Sequence, residues 1–265
     1  MGQSNKPESK DDSPPPYSQI GTPPPIVSFP QQASSPAQQI QRQFPLAFNV
    51  YSTPRLTNKK VTIGEHQSQP LYAVSPSQSW SNTPAVVLHS GPIETAPPLA
   101  TAGYASLEAG TKTITFPGSG QPAAEERLQR QGKHKFVWTF SIEAGPGRRR
   151  EAFEWRHSSC PAVRDLGGSN FGLKLVRLAT DAPAGVPGPT FQKGCTTSSD
   201  GKEVVAVWAT GGLSLSKAVM FRFLGSGASG ALGERWALMA VITALSIWDH
   251  DYQLRTRAIV HTPRG

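Results

Sequence analysis

The chain has 265 residues, with 26 Lys and Arg against 18 Asp and Glu for a net charge of +8, and only two cysteines, Cys160 and Cys195. Two isolated cysteines and six histidines in no ligand spacing exclude a disulfide framework and give no support to a metal site. The basic balance favours anionic partners, and acidic lipid headgroups rank ahead of nucleic acid because no Lys/Arg block, zinc spacing or RNA-binding aromatic pattern accompanies it.

Residues 1–45 are rich in Pro, Gln and Ser and lack apolar periodicity. They cannot bury enough surface to offset chain entropy, so a disordered tail is expected. Lys6, Lys10 and Arg42 balance Glu8, Asp11 and Asp12, which leaves the whole net charge of +8 to the remainder. Pro14-Pro15-Pro16-Tyr17 has the P-P-x-Y form that WW domains read, with a preformed polyproline helix and a tyrosine for a second pocket; HECT-type ubiquitin ligases are common owners of such domains. The first residues hold no hydrophobic core of a signal peptide, and with the low cysteine content this points to a cytoplasmic protein, peripheral at the plasma membrane where it meets lipid.

From residue 46 short β-prone runs recur between turn residues, as in an all-β barrel or sandwich. They are Leu46–Ser52, Lys59–Glu65, Pro70–Ser75, Ala85–Ser90, Leu99–Tyr104, Lys112–Phe116, His134–Glu143, Arg150–Ser158, Gly172–Ala179, Lys202–Thr210 and Lys217–Leu224. Phe136, Trp138 and Phe140 share one face of a strand, as do Phe153 and Trp155 on the next, and Gly145-Pro146-Gly147 turns one into the other. The strand Glu203–Trp208 alternates poorly and is expected to be buried on both faces. Residues 76–84, 117–132 and 180–200 are expected to be loops, with a helical turn at Glu125–Gln131.

The last strand runs into Gly225-Ser226-Gly227-Ala228-Ser229-Gly230, which matches the dinucleotide fingerprint G-x-G-x-x-G. The helix behind the glycines argues against that reading. From Trp236 to Trp248 only Thr243 and Ser246 are polar, so this helix, set at 232–249, must be buried all round, and its short apolar core is too brief for a bilayer. No second parallel strand with a ribose-binding acid comes after it; Asp249 and Asp251 end the helix, where they call for cationic partners such as Arg255 or Arg257. A nucleotide-dependent oxidoreductase using Gly225, Gly227 and Gly230 is therefore the alternative, and a scaffold without ligand is a second one.

No nucleophile–base–acid pattern emerges, so no catalytic residues and no cofactor are expected. Basic residues are better placed. In the hairpin of 134–143 with 150–158, Lys133 and Lys135 lie opposite Arg156 and His157 at one end, while Arg148, Arg149 and Arg150 crowd the turn at the other. Arginine forks can hold phosphate oxygens bidentately and Lys adds point charge, so Lys133, Lys135, Arg148, Arg149, Arg150 and Arg156 are the candidate headgroup site.

Many short strands, then Lys217-Ala218-Val219-Met220-Phe221-Arg222-Phe223, then the apolar run from Glu234 to Leu245, resemble the tubby C-terminal-like superfamily, in its LURP-one-related and scramblase-like branches. The resemblance implies a closed antiparallel β-barrel of about a dozen strands around one hydrophobic C-terminal helix, and phosphoinositide or membrane-surface binding without catalysis. The expected organisation is thus a tail at 1–45, a barrel with central helix at 46–252, and an extension at 253–265.

Overall fold

The computed structural model describes residue 2 and residues 43–53, 60–76, 86–104, 110–118, 122–132, 136–181, 197–212, 214 and 216–260, with side chains to 255. Apolar residues at every second position drive these segments into strands, because a pleated strand sends alternate side chains to opposite faces. The strands are β1 (Ala47–Thr53), β2 (Lys60–Gly64), β3 (Tyr72–Pro76), β4 (Val86–His89), β5 (Pro98–Tyr104), β6 (Thr111–Phe116), β7 (Ala124–Gln131), β8 (Val137–Ala144), β9 (Arg149–Ser158), β10 (Gly172–Arg177), β11 (Val204–Thr210) and β12 (Lys217–Phe223). A short helix α1 (Pro161–Arg164) falls between β9 and β10, and α2 (Gly225–Ser229) and α3 (Glu234–Val260) come after β12.

Each strand pairs antiparallel with its sequence neighbours, and β12 returns to β1 through pairs such as Phe48 with Phe221 and Val50 with Val219, closing a barrel of twelve strands. Closure removes every exposed sheet edge. Inside lies α3, packed on β4, β5, β6 and β8. Its residues from Met239 to Asp249 are all buried, which is why the sequence leaves no polar face there. Phe153, Trp155, Phe221 and Phe223 from the wall meet Trp236, Met239 and Ile242 from the helix in one continuous core. The two polar residues of the helix each have a partner: the Trp155 indole donates to Thr243 Oγ1 at 3.0 Å, and the Lys112 ammonium donates to Ser246 Oγ at 2.9 Å.

Three expectations need correction. The loop at 117–132 contains strand β7, where Glu126 and Leu128 are buried and Glu125, Arg127 and Gln129 exposed. Its helix-forming composition yields to pairing with β6 and β8 on both sides. The helix does not stop at 249 but continues to Val260, because residues 250–260, beyond the barrel rim, hold helix formers such as Gln253, Leu254 and Arg255 and no proline or glycine. Phe136 lies just ahead of β8 and is 38 % exposed, so it does not share the buried face of Trp138 and Phe140. Strand β11 is buried on both faces as expected, since Val204, Val207 and Ala209 pack outward beneath Ala162 and Val163 of α1.

Strict alternation of strand direction gives the barrel two chemically distinct ends. At the upper end odd-numbered strands begin, even-numbered strands finish, and α3 enters; there the Glu234 carboxylate accepts from Gln43 N at 2.9 Å, and Gly145 N donates to Leu232 O at 2.9 Å. At the lower end α3 leaves, beside Tyr104 at the end of β5 and Lys112 near the start of β6, which face each other in register. No helix among the described residues is long and apolar enough to cross a membrane.

Candidate functional site

The glycine run is explained by packing. Gly225 has φ 48, and a Cβ there would lie 2.4 Å from Glu203 Oε1. A Cβ on Gly227 would meet Val205 O at 2.4 Å and the Trp236 ring at 2.6 Å, while Gly230, with φ 81, is the left-handed residue that ends α2. The strand before them is antiparallel to both neighbours, so the βαβ unit that a dinucleotide needs is missing. Where a pyrophosphate would sit, the Glu203 carboxylate already accepts from Ser226 N at 2.7 Å and Ser226 Oγ at 2.9 Å. An acid at that position repels phosphate. Among the described residues no group of three or more His, Cys, Asp or Glu is placed to hold a metal ion.

The arginines at the β8–β9 turn come together at the upper end, but each is matched by a carboxylate. Arg148 pairs with Glu143 at 3.2 Å, Arg149 with Asp181 at 2.5 Å and with Glu151 at 3.0 Å, and Arg150 with Glu126. The hydrogen bond from Arg149 holds the Asp181 carboxyl down to about 2. Glu126 also receives Arg235, and Glu151 receives the buried Arg177 through two bonds of 2.5 and 2.9 Å. Arg156, six residues further along β9 and so roughly 20 Å from Arg150, pairs with Glu154 at 2.7 Å and Asp200 at 2.9 Å. Lys133, Lys135 and the Pro14–Tyr17 motif lie outside the described residues.

The lower end has the opposite character. Lys60, Arg130, Lys217 and Arg255 stand there, and none of them takes part in an ion pair among the described residues. Exposed apolar and aromatic side chains share this end: Tyr104 (56 %), Phe171 (75 %), Tyr252 (46 %) and Leu254 (49 %), with Phe136 stacked on the Arg130 guanidinium, whose centre is 3.5 Å from the ring centroid. At the upper end the exposed Leu46, Leu71 and Ile93 have acids for company, Glu65 and Glu94.

Beneath this rim lies a charged cluster. Lys112 is 1 % exposed, with its ammonium 5.4 Å from the Tyr104 ring centroid and 5.7 Å from that of Trp138, and it donates to Ser246 O at 2.7 Å. Burial brings its amine down to about 8, against the pull of Asp249 and Asp251. Asp249 is itself buried and accepts from Gln253 Nε2 at 2.7 Å. Burial pushes the Asp251 carboxyl up, although Arg255, His157, Lys112 and Arg130 all act to lower it. The expected relation of Asp251 to Arg255 is present; Lys112, Arg130 and His157 are the partners that sequence reasoning missed. They sit on three different strands, and only the alternation of strand direction collects them at one end.

Compared with family models, curated proteins and solved structures, the chain finds no match in any of the three.

Proposed function

We propose that this protein is a non-enzymatic binding module that attaches by the lower end of its barrel to membranes rich in acidic phospholipid. The observation that carries the reading is the coincidence, on one end, of exposed aromatic and apolar side chains with cations that make no ion pair among the described residues. Tyrosine and phenylalanine at a rim can seat themselves at headgroup depth, and Lys and Arg beside them are drawn to the negative surface potential. The resemblance of the last strand and helix to tubby-like proteins implies the same class of ligand. Phosphoinositides, with more charge per headgroup, bind more strongly than phosphatidylserine in this reading. The site is accordingly moved from the Arg148–Arg150 turn, whose charges are matched at home, to Lys60, Arg130, Lys217 and Arg255.

The P-P-x-Y motif at Pro14–Tyr17 supplies the second function, recruitment of a WW-domain protein such as a HECT-type ubiquitin ligase to that membrane. The protein then acts as a cytoplasmic adaptor at the inner plasma membrane. Sedimentation with vesicles of phosphatidylcholine alone, and with added phosphatidylserine or phosphoinositide, tests the first function: co-sedimentation rises with acidic lipid and falls with salt, and failure to sediment with any acidic vesicle rules the reading out. Pull-down by an isolated WW domain, abolished by Tyr17→Ala, tests the second.

A further inference from the structure

Asp251 stands where α3 leaves the barrel, half-buried, with positive or titratable groups on several sides: Arg255 one turn on along its own helix, Lys112 from β6, Arg130 from β7 and His157 from β9. Its other titratable neighbours on α3 are Asp249 and His250; the His250 ring packs edge-on against Trp138 of β8, with centroids 5.5 Å apart. Tyr104 of β5 covers Lys112 from the rim. A carboxylate set among cations occupies the electrostatic position that a lipid phosphate at this end has to take. Resting on the membrane-binding reading above, we infer that Asp251 is a built-in counter-anion of the lower-end cations, so that protonating it strengthens attachment to acidic membranes.

The charges give the direction. Asp249 is buried beneath the rim and accepts from Gln253, so Asp251 is the carboxylate that offsets part of the positive charge of Lys112, Arg130 and Arg255; neutralising it adds one net positive charge at the contact face. Lys112 is too buried to touch a headgroup, and its charge acts through the poorly screened wall while Arg130, Arg255 and His157 meet the phosphate. Burial holds the carboxyl above its ordinary range, so it takes up its proton at a higher pH than an exposed aspartate does. One added charge near an anionic surface tightens partition roughly fivefold. Imidazoles in general gain charge on acidification, in the same direction, so the carboxylate must be separated from the histidines at this end.

The test is co-sedimentation of the full chain with phosphatidylcholine vesicles containing phosphatidylglycerol, from about pH 7.5 to about pH 5, a window in which histidine also titrates. Wild type binds more tightly as the pH falls. Asp251→Asn binds roughly fivefold more tightly than wild type at neutral pH, gains less than wild type on acidification, and keeps its neutral-pH advantage when His157→Gln is present in both backgrounds. Asp251→Ala, judged folded by circular dichroism, repeats the result without the amide. Asp251→Asn with wild-type affinity and an unchanged pH profile overturns the inference and leaves membrane binding standing. Wild type that is folded yet sediments at no pH overturns both.

Discussion

Replacing Arg130 and Arg255 together with Gln separates the two ends of the barrel as candidate contact surfaces. Each Lys or Arg close to an acidic membrane contributes about 1 kcal/mol, so losing both weakens binding by about 2 kcal/mol, roughly 30-fold in the partition constant. Applied without regard to neighbours, the same rule gives the triple change of Arg148, Arg149 and Arg150 to Gln a loss of about 3 kcal/mol. The pairing says otherwise: these charges are already offset by Glu143, Asp181, Glu151 and Glu126, and the expected change is under about threefold, as for exposed charges that are matched locally. The triple variant also keeps its buried carboxylates paired, Glu126 with Arg235 and Glu151 with Arg177, so the barrel remains folded for the comparison. Vesicle co-sedimentation of wild type and both variants, at low and moderate salt, reads the difference. Loss of binding by the arginine-turn variant, with the lower-end variant unaffected, would refute the reasoning.

Three further outcomes test the energetics. Gly227→Ala drives a methyl group into Val205 O and the Trp236 ring and lowers stability by about 1 to 3 kcal/mol, seen as a reduced thermal midpoint; an unchanged midpoint contradicts the packing account of the glycine run. Arg177→Met leaves the Glu151 carboxylate, 5 % exposed, without its main partner, at a cost of about 3 to 5 kcal/mol. Adding Glu151→Gln recovers much of that loss, and a double-mutant cycle in urea with no coupling between the two sites disproves the buried pair's role. For Lys112 the sign follows from an amine held at about 8 in the fold against 10.5 unfolded. Below that window the lysine is charged in both states and burial costs the fold about 3 kcal/mol; as pH rises through it, the unfolded chain holds the proton longer and stability recovers. Wild type therefore gains up to about 3 kcal/mol on Lys112→Met between about pH 8 and about pH 10.5, and a constant difference in urea melts refutes it.

The barrel was legible because its two signals do not depend on long-range contacts. Alternation at Phe153 and Trp155 marks a strand, and the unbroken apolar run from Trp236 to Trp248 demands a surrounding wall. Strand β7 escaped notice because Ala124–Gln131 carries six charged or amide side chains and only two apolar ones, a composition that favours a helix until flanking strands supply its hydrogen bonds. The candidate site was less legible for a related reason. Arg148, Arg149 and Arg150 stand out as a run, but Glu126 lies 24 residues from Arg150 in sequence and Asp181 lies 32 from Arg149. Lys112, Arg130 and His157 are unremarkable letters in the chain, and their common address is set by strand direction alone.

The position of α3 after all twelve strands fixes the order in which the molecule can be completed. Wall residues from Phe48 to Phe223 have no lumen filling to pack on until Trp236 to Trp248 has been synthesised, and β1 waits for a partner at the far end of the wall, Val50 for Val219 arriving late on β12. Such non-local pairing makes folding slow and leaves apolar wall exposed while the chain is incomplete. A ribosome-bound chain ending before Glu234 is thus a barrel without contents, a natural client for chaperones, and a truncation there abolishes the fold rather than trimming it.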